Sequence, residues 1–233
     1  VSRVLVAGIY LADRPHGAGQ LLYEFAGSRA HEVIQRWTAL APGGRGHCDL
    51  PCTVAIEVEL APKFALSNTM THDADNFDWV LICDDDIEVP ADFLDTFLDL
   101  AERCDFALCQ PARTADSYID HGIVMQMTGL SARRTRFVEI GPLVAIRRDA
   151  VPLLLPFGHD CGMGWGLDFI WPGLIEGAGL RMGIVDAVPV AHRMRKPVTG
   201  YDHEGATRAM SKLLATHPHL PPEQAFTILE AYV

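Results

Sequence analysis

Three consecutive aspartates, Asp84, Asp85 and Asp86, follow the apolar run Trp79-Val80-Leu81-Ile82-Cys83. Adjacent carboxylates repel one another. A divalent cation is the simplest group that would favour them, since hard cations select carboxylate oxygens. The run before them has no polar alternation, so it reads as a strand buried on both faces. In open α/β sheets ligands collect at the carboxyl ends of strands, and the acids occupy such an end. The plain alternative is a polar strand-to-helix loop in which one Asp caps the helix.

Three further clusters hold polar groups that a fold alone does not demand. Glu139 lies inside Phe137-Val138-Glu139-Ile140, where an acid must face either solvent or a site. Gly162, Gly164 and Gly166 surround Trp165 and precede Asp168. Glycines permit close approach of backbone to a ligand, and Trp165 suits stacking on a sugar or closing over it. Its alternative is a loop residue packed on the core. Asp168 opens an apolar, helix-like stretch, where the helix dipole favours an ionised carboxylate. It is a candidate base or a plain N-cap. Val185-Asp186 precedes His192-Arg193-Met194-Arg195-Lys196. His192 can offer a neutral imidazole to a metal. The cations after it suit a diphosphate or a solvated basic loop.

These residues need elements to hold them. Val4 to Tyr10 reads as a first strand and Leu21 to Leu40 as a helix, with Leu22, Phe25, Val33, Trp37 and Leu40 at helical spacing. Cys52 to Leu60 reads as a strand with Val54, Ile56, Val58 and Leu60 alternating against polar residues. Lys63 to Ala74 reads as a helix or an irregular segment, and Ile87 to Leu100 as a helix opening at Pro90 with acids in its first turn. Strands are expected at Phe106 to Cys109, Phe137 to Ile140, Leu143 to Ile146 and Met182 to Val190, with a helix over Phe169 to Ile175. The tail from His203 reads as one or two amphipathic helices broken by Pro218, Pro221 and Pro222. Strands alternate with helices in the first half, which predicts a doubly wound, mostly parallel sheet. The closer strands of the second half predict a mixed or antiparallel extension.

Composition narrows the choice. The chain has 233 residues and 49% hydrophobic content, enough for one large α/β domain with a substantial core. A net charge of −11 argues against a broad nucleic-acid interface. Two of the six cysteines, Cys83 and Cys109, lie in apolar runs, where a thiol packs as a small hydrophobe. His47-Cys48 with Cys52 lacks a second ligand pair for a closed zinc site. No signal peptide and no membrane-length apolar run is read, which gives the expectation of a reduced, cytoplasmic protein.

An apolar strand ending in Asp-x-Asp, a later Gly-Trp-Gly-x-Asp loop and a His after the last strand together resemble GT-A fold glycosyltransferases. The resemblance spans Val4 to about Tyr201. Phe137–Pro142 and Gly164–His192 are also similar to a little-characterised glycosyltransferase family with Val-Glu-x-x-Pro followed by Gly-Trp-Gly-x-Asp. The resemblance implies one GT-A-like domain over residues 1–233, with nucleotide bound by about residues 1–110, acceptor and catalysis at 111–200, and a helical tail. It implies Mn²⁺ or Mg²⁺ on Asp86, with Asp84 at the metal shell or ribose, Asp85 also at the nucleotide-sugar site, and His192 as the late metal ligand. Asp168 matches the acid that deprotonates the acceptor hydroxyl in inverting members, and Glu139 is the rival base. Lys63 and Asn68 lie where such folds contact nucleotide, Arg193, Arg195 and Lys196 suit the diphosphate, and Trp165 suits the donor sugar. One departure stands out: relatives carry adjacent acids in the Gly-Trp-Gly loop, whereas Leu167 precedes a single Asp168 here.

The expected reaction is metal-dependent transfer of a sugar from a nucleoside-diphosphate sugar, UDP-sugar first, to a carbohydrate or other hydroxyl acceptor. One base opposite the leaving group would give inversion. Three alternatives remain open. A nucleotidyltransferase making an activated sugar shares sheet and metal, but Gly17-Ala18-Gly19 matches its first loop poorly. A phosphatase forming an aspartyl-phosphate also places Asp-x-Asp after a strand, but has Thr or Val where Glu88 stands. The third is a non-catalytic module that binds nucleotide sugar. Oligomeric state is not legible.

Overall fold

The computed structural model describes every residue except 60, 159–160 and 196–201. The expectations for Leu60 and Lys196 therefore fall outside the described residues. In chain order the first elements are β1 (Ser2–Leu11), α1 (Ala18–Ala26), β2 (His31–Leu40), β3 (Thr53–Glu57), α2 (Lys63–Met70) and β4 (Trp79–Asp84). There follow α3 (Phe93–Arg103), β5 (Phe106–Arg113), β6 (Ala132–Thr135), β7 (Leu143–Arg147), α4 (Val151–Leu154) and α5 (Leu167–Gly177). The chain ends with β8 (Arg181–Val190), α6 (His203–Thr216), α7 (Pro222–Ala225) and β9 (Ile228–Tyr232).

The described strands form one sheet in the order β3-β2-β1-β4-β7-β5-β8-β6-β9. Strands β3, β2, β1 and β4 run parallel. β7 enters antiparallel between β4 and β5, β8 lies parallel to β5, and β6 and β9 extend the sheet antiparallel. This is the α/β fold expected, a parallel half joined to a mixed half. Consecutive residues of β1 and β4 enter opposite cores. Val4, Val6, Trp79 and Leu81 pack with α1 and α3, whereas Leu5, Ala7, Val80 and Ile82 pack with α2, α4 and α5. Helices therefore cover both faces, which is why these strands carry no polar alternation. The connection leaving β1 turns toward β2, and that leaving β4 turns away toward β5. The β1/β4 boundary is thus the topological switch point, where open α/β sheets form their ligand crevice. Among the described residues no helix is long and apolar enough to cross a membrane.

Several expectations are corrected. Residues 21–40 are not one helix: α1 closes at Gly27, whose N–H bonds the carbonyls of Tyr23 and Glu24, and His31–Leu40 pairs with all ten residues of β1. Val33, Ile34 and Thr38 are β-branched, and sheet pairing overrides their accidental helical spacing. The alternation of β3 has its faces reversed, since Val54 and Ile56 are more than half exposed. β3 joins β2 through a register irregularity at Trp37/Thr38, and a one-residue shift exchanges a strand's faces. Phe137 to Ile140 is irregular backbone between β6 and β7. The tail does not end in helix; β9 pairs with β6 at the sheet edge.

Asp186 is also reassigned. It is fully buried and bonds Arg133 through both carboxylate oxygens, Nε at 2.8 Å and Nη2 at 2.9 Å. Arg133 further donates to the carbonyls of Ile123 and Met125, and the Met127 N–H donates to Asp186. The pair ties the segment before β6 to β8 rather than serving the His192 cluster. Removing one partner of a buried pair strands the other charge. We expect Asp186→Ala to lose about 3–5 kcal/mol in urea unfolding. A loss below about 0.5 kcal/mol, as for an ordinary surface change, would contradict this role.

Candidate functional site

The carboxyl end of β4 delivers the three aspartates to different partners. Asp84 is half-buried, and Lys63 from the first turn of α2 bonds it at 2.7 Å. Gly141 stands against this pair: a Cβ there would fall 2.9 Å from Lys63 Nζ and 3.0 Å from Asp84 Oδ2. Asp85 is buried and accepts the Leu11 N–H at 2.7 Å, joining the end of β4 to the end of β1. Arg195 pairs with the same carboxylate and lies 3.2 Å from Asp86 Oδ2. Asp86 Oδ1 lies 3.3 Å from His192 Nε2.

His192 comes from more than a hundred residues away, and backbone brings it there. Glu88 and Ala191 exchange two N–H to carbonyl bonds, at 2.9 and 3.0 Å. The His192 N–H donates to Ser117 Oγ, and its carbonyl accepts the Tyr118 N–H. The strand-like bridge thus fixes the imidazole beside Asp86 before any ligand arrives. Burial works to raise the Asp86 pKa, but the His192 hydrogen bond and the charges of Arg195 and Lys63 hold it below the usual carboxylate range. Asp85 goes the other way, because burial outweighs Arg195 and the Leu11 N–H.

The second half of the site is built from β5, the irregular segment before β7, and the start of α5. Arg113 at the end of β5 pairs with Glu139 and donates to the carbonyls of Tyr118 and Gly141, each at 2.8 Å. Gln110 Oε1 accepts the Glu139 N–H. Glu139 is therefore not a solvent-facing strand residue; it is buried and held by β5. Burial pushes its carboxyl up to about 8, with Arg113 pulling the other way and the charges of Asp168 and Asp120 adding to the rise. Oε1 of Glu139 has no partner among the described residues.

Asp168 sits in the first turn of α5, as expected, yet the helix dipole does not decide its charge. Burial pushes its carboxyl up to about 7, against the pull of nearby backbone N–H groups. Its Oδ1 also has no partner among the described residues. The glycines ahead of it are required by geometry. Gly162, Gly164 and Gly166 all have positive φ, and a Cβ at Gly164 would lie 2.1 Å from the Phe64 ring. Trp165 between them meets the His203 ring edge-on, centroids 4.9 Å apart.

One cleft of about 590 Å³ gathers these groups: Asp84, Asp85, Asp86, Lys63, His192, Arg195, Glu139, Trp165 and Asp168 all line it. Two expected residues lie elsewhere. Asn68 spends its side-chain amide on the backbone of Phe157, with bonds of 2.8 Å in both directions. Arg193 is exposed and pairs with Glu88 and Asp116. Neither lines the cleft. Sequence reasoning missed Arg113, Asp120, His121 and His203, which do line it. Arg113 had a signal, a charge at the carboxyl end of an apolar strand.

Among the described residues, no three His, Cys, Asp or Glu side chains gather as a ready-made metal cage. Among the described residues, Cys48, Cys52, Cys83, Cys104 and Cys109 are free thiols. Asp86 with His192 still suits a divalent ion, an oxygen and an imidazole nitrogen already 3.3 Å apart at one cleft wall. Ions of the Mg²⁺ type take only one or two protein ligands where substrate phosphates supply the rest.

No protein-family model and no curated protein matches the sequence. Solved structures do match it in shape. A mannosyltransferase from Pyrobaculum calidifontis, in complex with GDP-Man and Mn²⁺, superposes with TM-score 0.57 at 18% identity, over 97% of this chain and 68% of that one. GalNAc-T7 with UDP, GalNAc and Mn²⁺ gives TM-score 0.58 at 10% identity, over 88% of this chain and 47% of that one. S. aureus TarS in complex with UDP-GlcNAc gives TM-score 0.56 at 10% identity, over 95% and 69%. At such identities the likeness is one of architecture: the chain has the GT-A fold that these glycosyltransferases share.

Proposed function

We propose that the chain is a metal-dependent glycosyltransferase that moves a sugar from a nucleoside-diphosphate sugar, UDP-sugar first, to an acceptor hydroxyl with inversion. The observation that carries this reading is the single cleft at the β1/β4 switch point. It joins the Asp86–His192 pair to a buried carboxyl group, Asp168, that has an oxygen to spare. The likeness to structures solved with nucleotide sugars and Mn²⁺ supports the same reading.

In this proposal about residues 1–110 bind the nucleotide and 111–200 supply acceptor and catalytic groups. Asp86 and His192 hold Mn²⁺ or Mg²⁺, with Asp84 at the ribose or metal shell. A bound divalent cation supplies charge stabilisation for the leaving diphosphate. Lys63 and Arg195 add local positive charge, and Asp85 anchors Arg195. Asp168 takes the acceptor proton at its unpartnered oxygen. A base works best with a pKa near the working pH, which burial has given Asp168. Glu139, committed to Arg113, positions the acceptor. Trp165 offers a ring face at the sugar. A second reading, the nucleotidyltransferase, gains nothing from Asp168, since it needs no base at an acceptor sugar.

Two outcomes are expected. Asp168→Asn should lower turnover by roughly 10²–10⁴-fold, the usual cost of a lost acid–base group, with nucleoside-diphosphate affinity unchanged. The base must be ionised, so kcat/KM should fall as pH drops below about 7. That acid limb should vanish in Asp168→Asn, and NMR of the product should show an inverted anomeric carbon. Normal turnover in the variant, or a retained configuration, would remove Asp168 from the role. Asp86→Ala should abolish the Mn²⁺-dependent part of nucleoside-diphosphate binding in calorimetry while the far-UV spectrum and melting stay close to the parent. Undiminished Mn²⁺-dependent affinity would refute the metal assignment.

A further inference from the structure

The acceptor's chemical class follows from which charges in the cleft are already spoken for. Six carboxyl groups and four Lys or Arg side chains line it. Each of the four cations has an acid partner. Lys63 pairs with Asp84, Arg195 with Asp85 and Asp86, Arg14 with Asp13 at 2.9 Å, and Arg113 with Glu139. Arg113 is further tied to two carbonyls, leaving its Nε as the one buried donor without a partner among these cations.

The carboxyl groups are not balanced in the same way. At the end formed by β5 and α5, Glu139 and Asp168 are 4% and 6% exposed, and each keeps a buried oxygen with no partner among the described residues. Asp120 lines the same end. Buried acceptor oxygens without donors are costly and rare, so a ligand that brings donors is the natural complement. Three aromatic residues, Trp165, His121 and Phe169, also line the cleft. Burial lowers the His121 pKa, so the imidazole adds no charge near neutrality.

We infer that the acceptor is an uncharged, hydroxyl-rich molecule of the saccharide class, held by hydroxyl donation to Glu139 and Asp168, and that phosphorylated or carboxylated acceptors are rejected. This rests on the transferase reading of the cleft given above. A hydroxyl donates to a carboxylate as a charge-assisted hydrogen bond. An anion in its place donates nothing and meets two carboxyl groups and Asp120, while Lys63 and Arg113 nearby are already paired with acids and only the Arg113 Nε donor is left over. Rejection by like charge is an ordinary source of specificity.

The test uses the whole chain saturated with UDP and Mg²⁺, with diphosphate binding first verified by calorimetry. Ligand-observed NMR then compares methyl gluco-, galacto- and mannosides with the matching uronic acids and 6-phosphates. The best neutral glycoside should bind at least about tenfold tighter than its charged counterparts, as repulsion at close range in a partly desolvated site implies. Glu139→Gln frees Arg113 and should shrink that ratio. Equal or tighter binding of the charged series, or no binding by any of them while UDP and Mg²⁺ bind, would overturn the inference alone. Failure of UDP to bind with Mg²⁺ would instead overturn the transferase reading, and this inference with it. The comparison on the unchanged chain decides the matter even if Glu139→Gln fails to fold.

Discussion

Everything at the site depends on where β4 stops. Trp79 to Cys83 is buried on both faces of the sheet, and the chain leaves it at the boundary where crossovers part to opposite sides. Three carboxylates emerge there in succession, and each turns to a different set of partners. Lys63 reaches Asp84 from α2, Arg195 reaches Asp85, and His192 meets Asp86. These partners come from distant parts of the chain. The Glu88–Ala191 backbone bridge then holds the late segment against the early one. An electrostatic demand at one strand end thereby organises the parallel and mixed halves around a common cleft.

The end of the cleft formed by β5 and α5 follows a different logic. Asp168 and Glu139 are buried, and each keeps one oxygen with no partner among the described residues. For a carboxyl group whose pKa is raised on folding, the charge costs stability. That cost is absent below the ordinary carboxylate range near 4 and grows until the pH passes the raised value. Asp168, at about 7, and Glu139, at about 8, carry it across the neutral range. The buried Arg133–Asp186 pair shows the contrast: every polar atom there is used within the protein, and it serves as a structural tie. Groups left unsatisfied beside a cleft are where local consistency yields to function.

The fold was legible wherever periodicity and burial coincide. β1, β4 and the mixed extension were readable because runs buried on both faces leave no ambiguity of face. The helix read across residues 21–40 failed because Val33, Trp37 and Leu40 satisfy helical spacing while pairing with β1. β6 and β9 escaped because Arg133, Arg134 and Glu230 break the apolar pattern, their charges being paired across the sheet. In the site, Asp84, Asp86, His192, Glu139, Trp165 and Asp168 were legible as polar or aromatic groups at strand ends and in a glycine loop, and one cleft collects them. Asn68 was not, because its amide serves the Phe157 backbone. Arg113 carried a signal as a charge at the end of an apolar strand, but its partner did not, and Asp120 and His121 could not be placed, since only tertiary structure shows that β5 ends beside Glu139. Nothing local could show that burial, rather than the helix dipole, sets the charge of Asp168.

The central claim is that the Asp86–His192 pair and the cations around it form a receptor for a divalent metal with a nucleoside diphosphate. A crystal structure of the chain grown with Mn²⁺ and UDP tests it most directly, because manganese can be located by its anomalous scattering. We expect one manganese in contact with both Asp86 and His192, the diphosphate beside Lys63 or Arg195, and the Asp168 carboxyl group open to the same cleft. Manganese or diphosphate bound elsewhere, with Asp86 and His192 still bonded to each other, would contradict it.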